Sequence, residues 1–199
     1  SAAANDQSDS TVEGVTQYGP KGESRRSGVL MSSETAVPPL PPSKAEPVDG
    51  VCQVNYLYAL GKQTASVDGV AASLTVAKPT LATTDWHSLA EIAVQSADGQ
   101  QVVEVGWNVD RKTNGDVDTH LFVYHWVNGK STCYNGCGFV PYAGATVAPG
   151  ATLAVDVSKP FGIQYSNGSW WIAYDSEWIG SFPASLWGGT FTKGGLVQV

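Results

Sequence analysis

Methionine occurs once, and histidine and cysteine three times each. Charged side chains make up only 15 % of the chain, and the 11 Lys and Arg are outnumbered by 18 Asp and Glu. The resulting net charge of −7 lacks the basic footprint that nucleic acid requires and is repelled by an anionic membrane surface. No run of 18 or more apolar residues is present, so no bilayer-spanning helix is expected. His120 and His125 are five apart on one extended segment and face opposite sides, and no second Cys/His pair has ligand spacing. Zinc is therefore not expected, and no cofactor is called for. What the chain does have is 42 % apolar residues, 22 Gly, 7 Trp and 8 Tyr in 199 residues. That is enough for one packed domain built from short strands and many turns.

Residues 1–50 hold six of the 11 prolines and no Trp or Cys. Val37-Pro38-Pro39-Leu40-Pro41-Pro42 reads as polyproline II, because each ring fixes φ and restrains the residue before it. This region is expected to be an extended Pro/Ser-rich tail or prosegment. Arg25-Arg26 is either a processing site or an ordinary solvated pair. The start, Ser1-Ala2-Ala3-Ala4, has no apolar signal region; in a secreted protein the signal would already be gone.

Residues 51–199 are read as the domain. Apolar residues recur with period two over 53–60, 70–77, 89–96, 101–109, 119–127, 151–157, 161–166, 169–175 and 194–199. Asp68-Gly69, Asp98-Gly99, Asn114-Gly115, Asn128-Gly129, Asn135-Gly136, Pro149-Gly150 and Asn167-Gly168 punctuate them. Strands at this spacing, without helical stripes between them, predict an all-β, jelly-roll-like antiparallel sandwich of two stacked sheets. Cys133 and Cys137 flank an Asn-Gly turn. They fit a small disulfide loop of an oxidising, extracellular compartment, or else two reduced thiols. Cys52 is left over, either buried or bridging between molecules.

The segment 89–109 carries the chemistry. A two-residue type I′ turn at Asp98-Gly99 would place Ile92 opposite Val105, Val94 opposite Val103 and Ala90 opposite Trp107, an apolar face for the core. The other face then carries Glu91, Ala93, Gln95, Val102, Glu104, Gly106 and Asn108. Glu91 faces Gly106 and Glu104 faces Ala93, so the two glutamates are diagonal neighbours about 7 Å apart at Cβ. Two carboxylates that close raise the pKa of one of them, and an acid/base pair of this kind can drive attack of water on an amide. The bland alternative is two solvated glutamates. Phe122, Tyr124 and Trp126 share a face and read as core or groove lining. Trp170-Trp171 places one indole on each side of its strand, and Glu177 shares parity with Trp171, so both are candidates for the same groove. Asp85-Trp86-His87-Ser88 contains triad residue types but no nucleophile elbow.

Ser88-Leu89-Ala90-Glu91-Ile92, Val103-Glu104-Val105-Gly106-Trp107-Asn108-Val109, Thr119-His120-Leu121-Phe122-Val123-Tyr124, Thr132-Cys133-Tyr134-Asn135, Cys137-Gly138-Phe139-Val140, Gly168-Ser169-Trp170-Trp171-Ile172 and Ile179-Gly180-Ser181-Phe182-Pro183-Ala184-Ser185-Leu186-Trp187 follow in order. This series resembles the neprosin family of secreted β-sandwich proteins, whose plant digestive members are glutamic endopeptidases that cut beside proline. The resemblance implies that Glu104, in Glu-x-Gly-Trp, is one of two catalytic glutamates and that Cys133 and Cys137 form a local disulfide. The family position at Glu91 is commonly Gln. The family's second glutamate lies in a late Gly-Glu-Val motif, towards which Gly195-Leu196-Val197-Gln198-Val199 leads without containing it. Either the chain is trimmed just short of that site, or Glu91 or Glu177 substitutes as catalytic partner of Glu104, or the domain is not catalytic; Asn108, Tyr124, Trp126 and Trp171 are the expected lining of the substrate groove.

Two functions follow as expectations. One is a secreted endopeptidase acting at acid pH, with Glu104 as general base on water and a protonated second carboxyl polarising the scissile carbonyl. Its partner is a peptide substrate. The other is a non-catalytic subunit of an extracellular assembly or filament, joined to neighbouring copies through residues 1–50. A carbohydrate-binding surface of coplanar exposed Trp rings is a third, weaker idea.

Overall fold

The computed structural model describes residues 59–199, and the readings on residues 1–50, on Cys52 and on all but the end of segment 53–60 lie outside the described residues. Eleven strands run in chain order: β1 Lys62–Val67, β2 Gly69–Val76, β3 His87–Gln95, β4 Val102–Asp110, β5 His120–Val127, β6 Lys130–Ser131, β7 Val140–Pro141, β8 Val157–Ser166, β9 Ser169–Tyr174, β10 Glu177–Pro183 and β11 Gly194–Gln198. One helical turn, α1 Arg111–Asn114, follows β4, and a 3-10 turn, Ala184–Trp187, follows β10. The strands form a six-stranded sheet ordered β1-β11-β3-β4-β5-β6 and a five-stranded sheet ordered β2-β8-β9-β10-β7. Every pairing is antiparallel. The fold is the expected two-sheet β-sandwich.

The core lies between the sheets. Ile92, Val94, Val103, Val105, Trp107, Leu121 and Val123 of the larger sheet meet Leu74, Phe161, Ile163, Trp170, Ile172 and Phe182 of the smaller one. Trp170 is fully buried and donates its indole N–H to Phe191 O at 2.8 Å. This satisfies the polar end of a side chain whose truncation typically costs about 3–5 kcal/mol.

The β3–β4 register is the one read from the sequence: Glu91 pairs with Gly106, Ile92 with Val105, Ala93 with Glu104 and Val94 with Val103. The turn type differs. Gly99 N donates to Ser96 O at 2.9 Å, and Ser96 N to Gln101 O at 2.8 Å. Gly99 has φ +72°, whereas Asp98 is not left-handed. A type I′ turn needs positive φ at both central residues. Here the Asp98 carboxylate accepts from Ser96 Oγ and Gln100 N instead, and a longer loop closes the same register. Type I′ chemistry does appear at Asn128-Gly129 and Asn167-Gly168, where both residues have positive φ.

Other boundaries moved as well. The expected strand 151–157 is a loop over residues 151–156 with a single bridge, His120 to Thr152, and β8 begins at Val157. β1, β6, β7 and β10 lie outside the segments read from the sequence. Edge strand β1, Lys-Gln-Thr-Ala-Ser-Val, is mostly exposed and carries no apolar alternation. β10 is interrupted by a bulge between Trp178 and Gly180.

Candidate functional site

The outward face of the larger sheet is where the glutamates lie. On β4 the positions that alternate with the core residues are Val102, Glu104, Gly106 and Asn108. On β5 their cross-strand partners are Trp126, Tyr124, Phe122 and His120. Outer faces of antiparallel sheets are commonly solvated, but this one is buried. Ala93, Val102, Phe122, Tyr124 and Trp126 form a second apolar cluster, with Leu89 and Tyr134 packed against it.

Glu104 is fully buried in this cluster. Trp126 Nε1 donates to its Oε1 at 3.3 Å, while Oε2 has no hydrogen-bond partner among the described residues. Burial pushes its carboxyl pKa well above the ordinary value, only partly offset by the Trp126 hydrogen bond. Burial thus favours the neutral form of the Glu104 carboxyl. A carboxyl in its neutral form is suited to donating a proton, and in its charged form to taking one. Glu91 lies diagonally across Gly106 and Ala93, about 7 Å away at Cβ by strand geometry. It is partly exposed as a residue, with its Oε2 buried.

The floor between the two acids is fixed by backbone crowding. A Cβ on Gly106 would sit 2.1 Å from Ala90 O and 2.7 Å from Glu91 Cα. Only glycine lets β3 and β4 approach there. Asn108, fully buried, accepts from Asn114 Nδ2 at 3.1 Å. One step further along β4, Asp110 caps α1 through Lys112 N and Thr113 N at 3.0 and 2.8 Å. His120 stands between Gly150 O at 2.8 Å and Asp116 Oδ1 at 2.9 Å. Burial opposes protonation of His120, but those two acceptors outweigh it and raise its pKa. His125 points into the core against Phe182 and Trp187, and burial lowers its pKa to about 4. The two histidines do face opposite sides.

Cys133 and Cys137 are joined in a disulfide. The five-residue loop it closes carries Tyr134, which packs edge-on against Phe122 and Tyr124 at 5.9 and 5.2 Å. Burial raises the Tyr134 pKa strongly, and the carboxylates of Asp110, Glu104 and Glu91 raise it further. Its hydroxyl therefore remains protonated above the acid pair. Burial, then Glu104, pushes Tyr124 up to about 12. Tyr134 was not picked out from sequence as a site residue; its only signal was an aromatic ring inside a cystine loop.

Two expected members are placed elsewhere. Glu177 is on β10 of the smaller sheet, where its carboxylate accepts from Thr146 N at 3.1 Å, Thr146 Oγ1 at 2.8 Å and Val147 N at 3.0 Å. These bonds, the Thr146 hydroxyl first, lower its pKa. It anchors a loop and does not reach Glu104. Trp171 lies on β9 of the same sheet, between Tyr142 and Trp178 at 6.1 and 6.2 Å. Shared parity misled because the bulge in β10 and the second sheet intervene. The three rings meet at 75° and 71°, so they form no coplanar platform. Asp85 accepts from Ala82 N at 2.9 Å, while His87 faces Asp110 at 3.8 Å, so no Ser/His/Asp triad forms. Among the described residues no group of three or more His, Cys, Asp or Glu is placed to hold a metal ion.

Comparison with known proteins gives one family. The sequence model described as Neprosin matches residues 84–199. No curated protein matches the chain. Among solved structures, the carbohydrate binding module CBM66 from Bacillus subtilis aligns at 13 % identity with a TM-score of 0.35, covering 72 % of this chain and 70 % of its own.

Proposed function

The chain belongs to the neprosin family, and from that premise we propose that it is a secreted glutamic endopeptidase that cuts near proline at acid pH. The observation that carries this reading is Glu104. A carboxyl with no solvent exposure and an unsatisfied oxygen, set diagonally to Glu91 over a floor of Ala93 and Gly106, is costly unless it is used. Glu91 as carboxylate takes a proton from the attacking water. Glu104 as neutral acid gives its proton to the departing amide nitrogen. Tyr134, held by the cystine loop, adds a hydroxyl donor from above. Asn108, Tyr124 and Trp126 shape the groove; Trp171 and Glu177 are left out of it. The Cys133–Cys137 disulfide supports an oxidising, extracellular setting.

Incubating the full chain with a proline-containing peptide at pH 3–5 tests the reading. Cleavage that is lost in Glu104→Gln supports it, and cleavage unaffected by that change removes Glu104 from the reaction.

A second reading is an assembly subunit joined to neighbouring copies through residues 1–50. It is favoured by the edge position of β1, which has β11 as its one neighbour among the described residues. An open edge can accept a strand from another chain. Sedimentation of the chain with and without residues 1–50 tests it: loss of the larger species on removal supports assembly, and unchanged mass argues against it.

A further inference from the structure

The larger sheet brings β11 beside β3, a neighbour relation that no local pattern encodes. Gln198 pairs with Ala93, and Leu196 with Gln95. Since Ala93 also pairs with Glu104, and Glu104 with Tyr124, Gln198, Ala93, Glu104 and Tyr124 form one row across three strand boundaries. Directly paired residues share a face. The methyl of Ala93 is therefore ringed by four polar side chains: Glu91 and Gln95 before and after it on β3, and Glu104 and Gln198 on either flank. β11 contributes no carboxylate to this ring. It contributes a carboxamide that is 6 % exposed.

The two amides of the ring are not equivalent. Gln95 spends its Nε2 on Gly99 O at 3.1 Å, steadying the β3–β4 loop. Gln198 lies on the other side of Ala93 from Glu104, roughly two strand spacings, about 10 Å, away at Cα. The two side chains flank the Ala93 methyl, which is itself 1 % exposed. On the Glu104 side, Oε1 is held by Trp126, and Oε2 is buried with no hydrogen-bond partner among the described residues.

We infer that Gln198 is a catalytic residue of the proposed peptidase, its Nε2 donating a hydrogen bond to the scissile carbonyl oxygen opposite Glu104. The inference rests on the peptidase reading and replaces a second glutamate from the late strand with a neutral donor. Water forms the new C–O bond as Glu91 takes its proton. The carbonyl electron pair moves to oxygen, where the Gln198 N–H meets the developing charge. The C–N bond then breaks as nitrogen takes the Glu104 proton, and the proton on Glu91 returns the pair to its starting state. An amide suits this role because it remains a donor throughout the acid range, whereas a carboxyl stops donating once ionised.

The test compares unaltered protein, Gln198→Leu, Gln198→Glu and Glu104→Gln on one proline-containing peptide across the acid range. Leucine keeps the buried volume and already occupies position 196 on the same face, and thermal unfolding checks that each variant is folded. Gln198→Leu is expected to lower kcat by about 10²-fold or more with KM changed by less than about threefold, as for loss of an oxyanion donor. Gln198→Glu is expected to retain activity only on the acid side, where the new carboxyl is protonated and can donate. Full kcat in folded Gln198→Leu, with Glu104→Gln inactive, overturns this inference and leaves the peptidase reading standing. No cleavage by the unaltered protein overturns both.

Discussion

Glu104 and Glu177 are both strand glutamates of one small sandwich, on different sheets, and their surroundings drive them in opposite directions. Glu104 is buried against Tyr124, Trp126 and Phe122, with one hydrogen bond and a raised pKa. Glu177 is a loop anchor with its carboxylate on the Thr146 and Val147 amides and a lowered pKa. Burial favours the protonated form of the first, and hydrogen bonding favours the ionised form of the second. Charge state in this molecule is set by the environment that the second and third neighbouring strands supply, not by residue type.

The comparison is broken most sharply by exchanging each acid for its amide. Glu104→Gln is expected to lower kcat for a proline-containing peptide by about 10²–10⁴-fold, the usual worth of a positioned proton donor, whereas Glu177→Gln leaves it unchanged. Equal losses in the two variants would erase the distinction. Next in size is the floor. Gly106→Ala forces a methyl into Ala90 O and is expected to cost about 2–3 kcal/mol or more, read as a lowered urea midpoint. Then comes Tyr134→Phe, which keeps the ring contacts and removes the hydroxyl; kcat is expected to fall about tenfold with the unfolding midpoint nearly unchanged.

The smallest effects are in pH dependence. Glu104 has a raised folded pKa, so its contribution to stability is full below about pH 4.5 and is lost as pH rises through the folded value. Glu104→Gln is therefore expected to gain stability over the unaltered protein as pH increases. His125 and Glu177 act with the other sign. The His125 pKa is lowered to about 4 by burial, so its contribution is present above about pH 6.5 and is lost as pH falls towards 4. Glu177, with its lowered pKa, contributes above its ordinary value and loses that in acid. The destabilisation caused by Glu177→Gln should accordingly fade at low pH. Thermal unfolding of the variants at several pH values separates these contributions.

What could be read from the sequence follows the range of the interactions involved. The β3–β4 register was legible because alternation and an Asp-Gly turn are local, and one face had to be wholly apolar. The turn type was not, because the Asp98 carboxylate chose Ser96 and Gln100 as partners and Asp98 kept negative φ. Glu91, Glu104 and Asn108 on one face came from that register, and Tyr124 and Trp126 joined them through β5. Trp171 and Glu177 were misassigned because shared parity says nothing about which sheet a strand joins. Gln198 stayed hidden for the complementary reason: β11 pairs with β3 across a hundred residues of chain, a contact that only the closed fold defines.

The central claim, that Glu104 is a neutral acid where Glu177 is a carboxylate, is most directly tested by carboxyl carbon NMR of ¹³C-Glu-labelled protein, with Glu104→Gln and Glu177→Gln assigning the two signals. At about pH 6, above the ordinary glutamate pKa, the Glu104 carbon is expected at its protonated position and the Glu177 carbon at its ionised one. A Glu104 signal already fully ionised at about pH 5 would contradict the account.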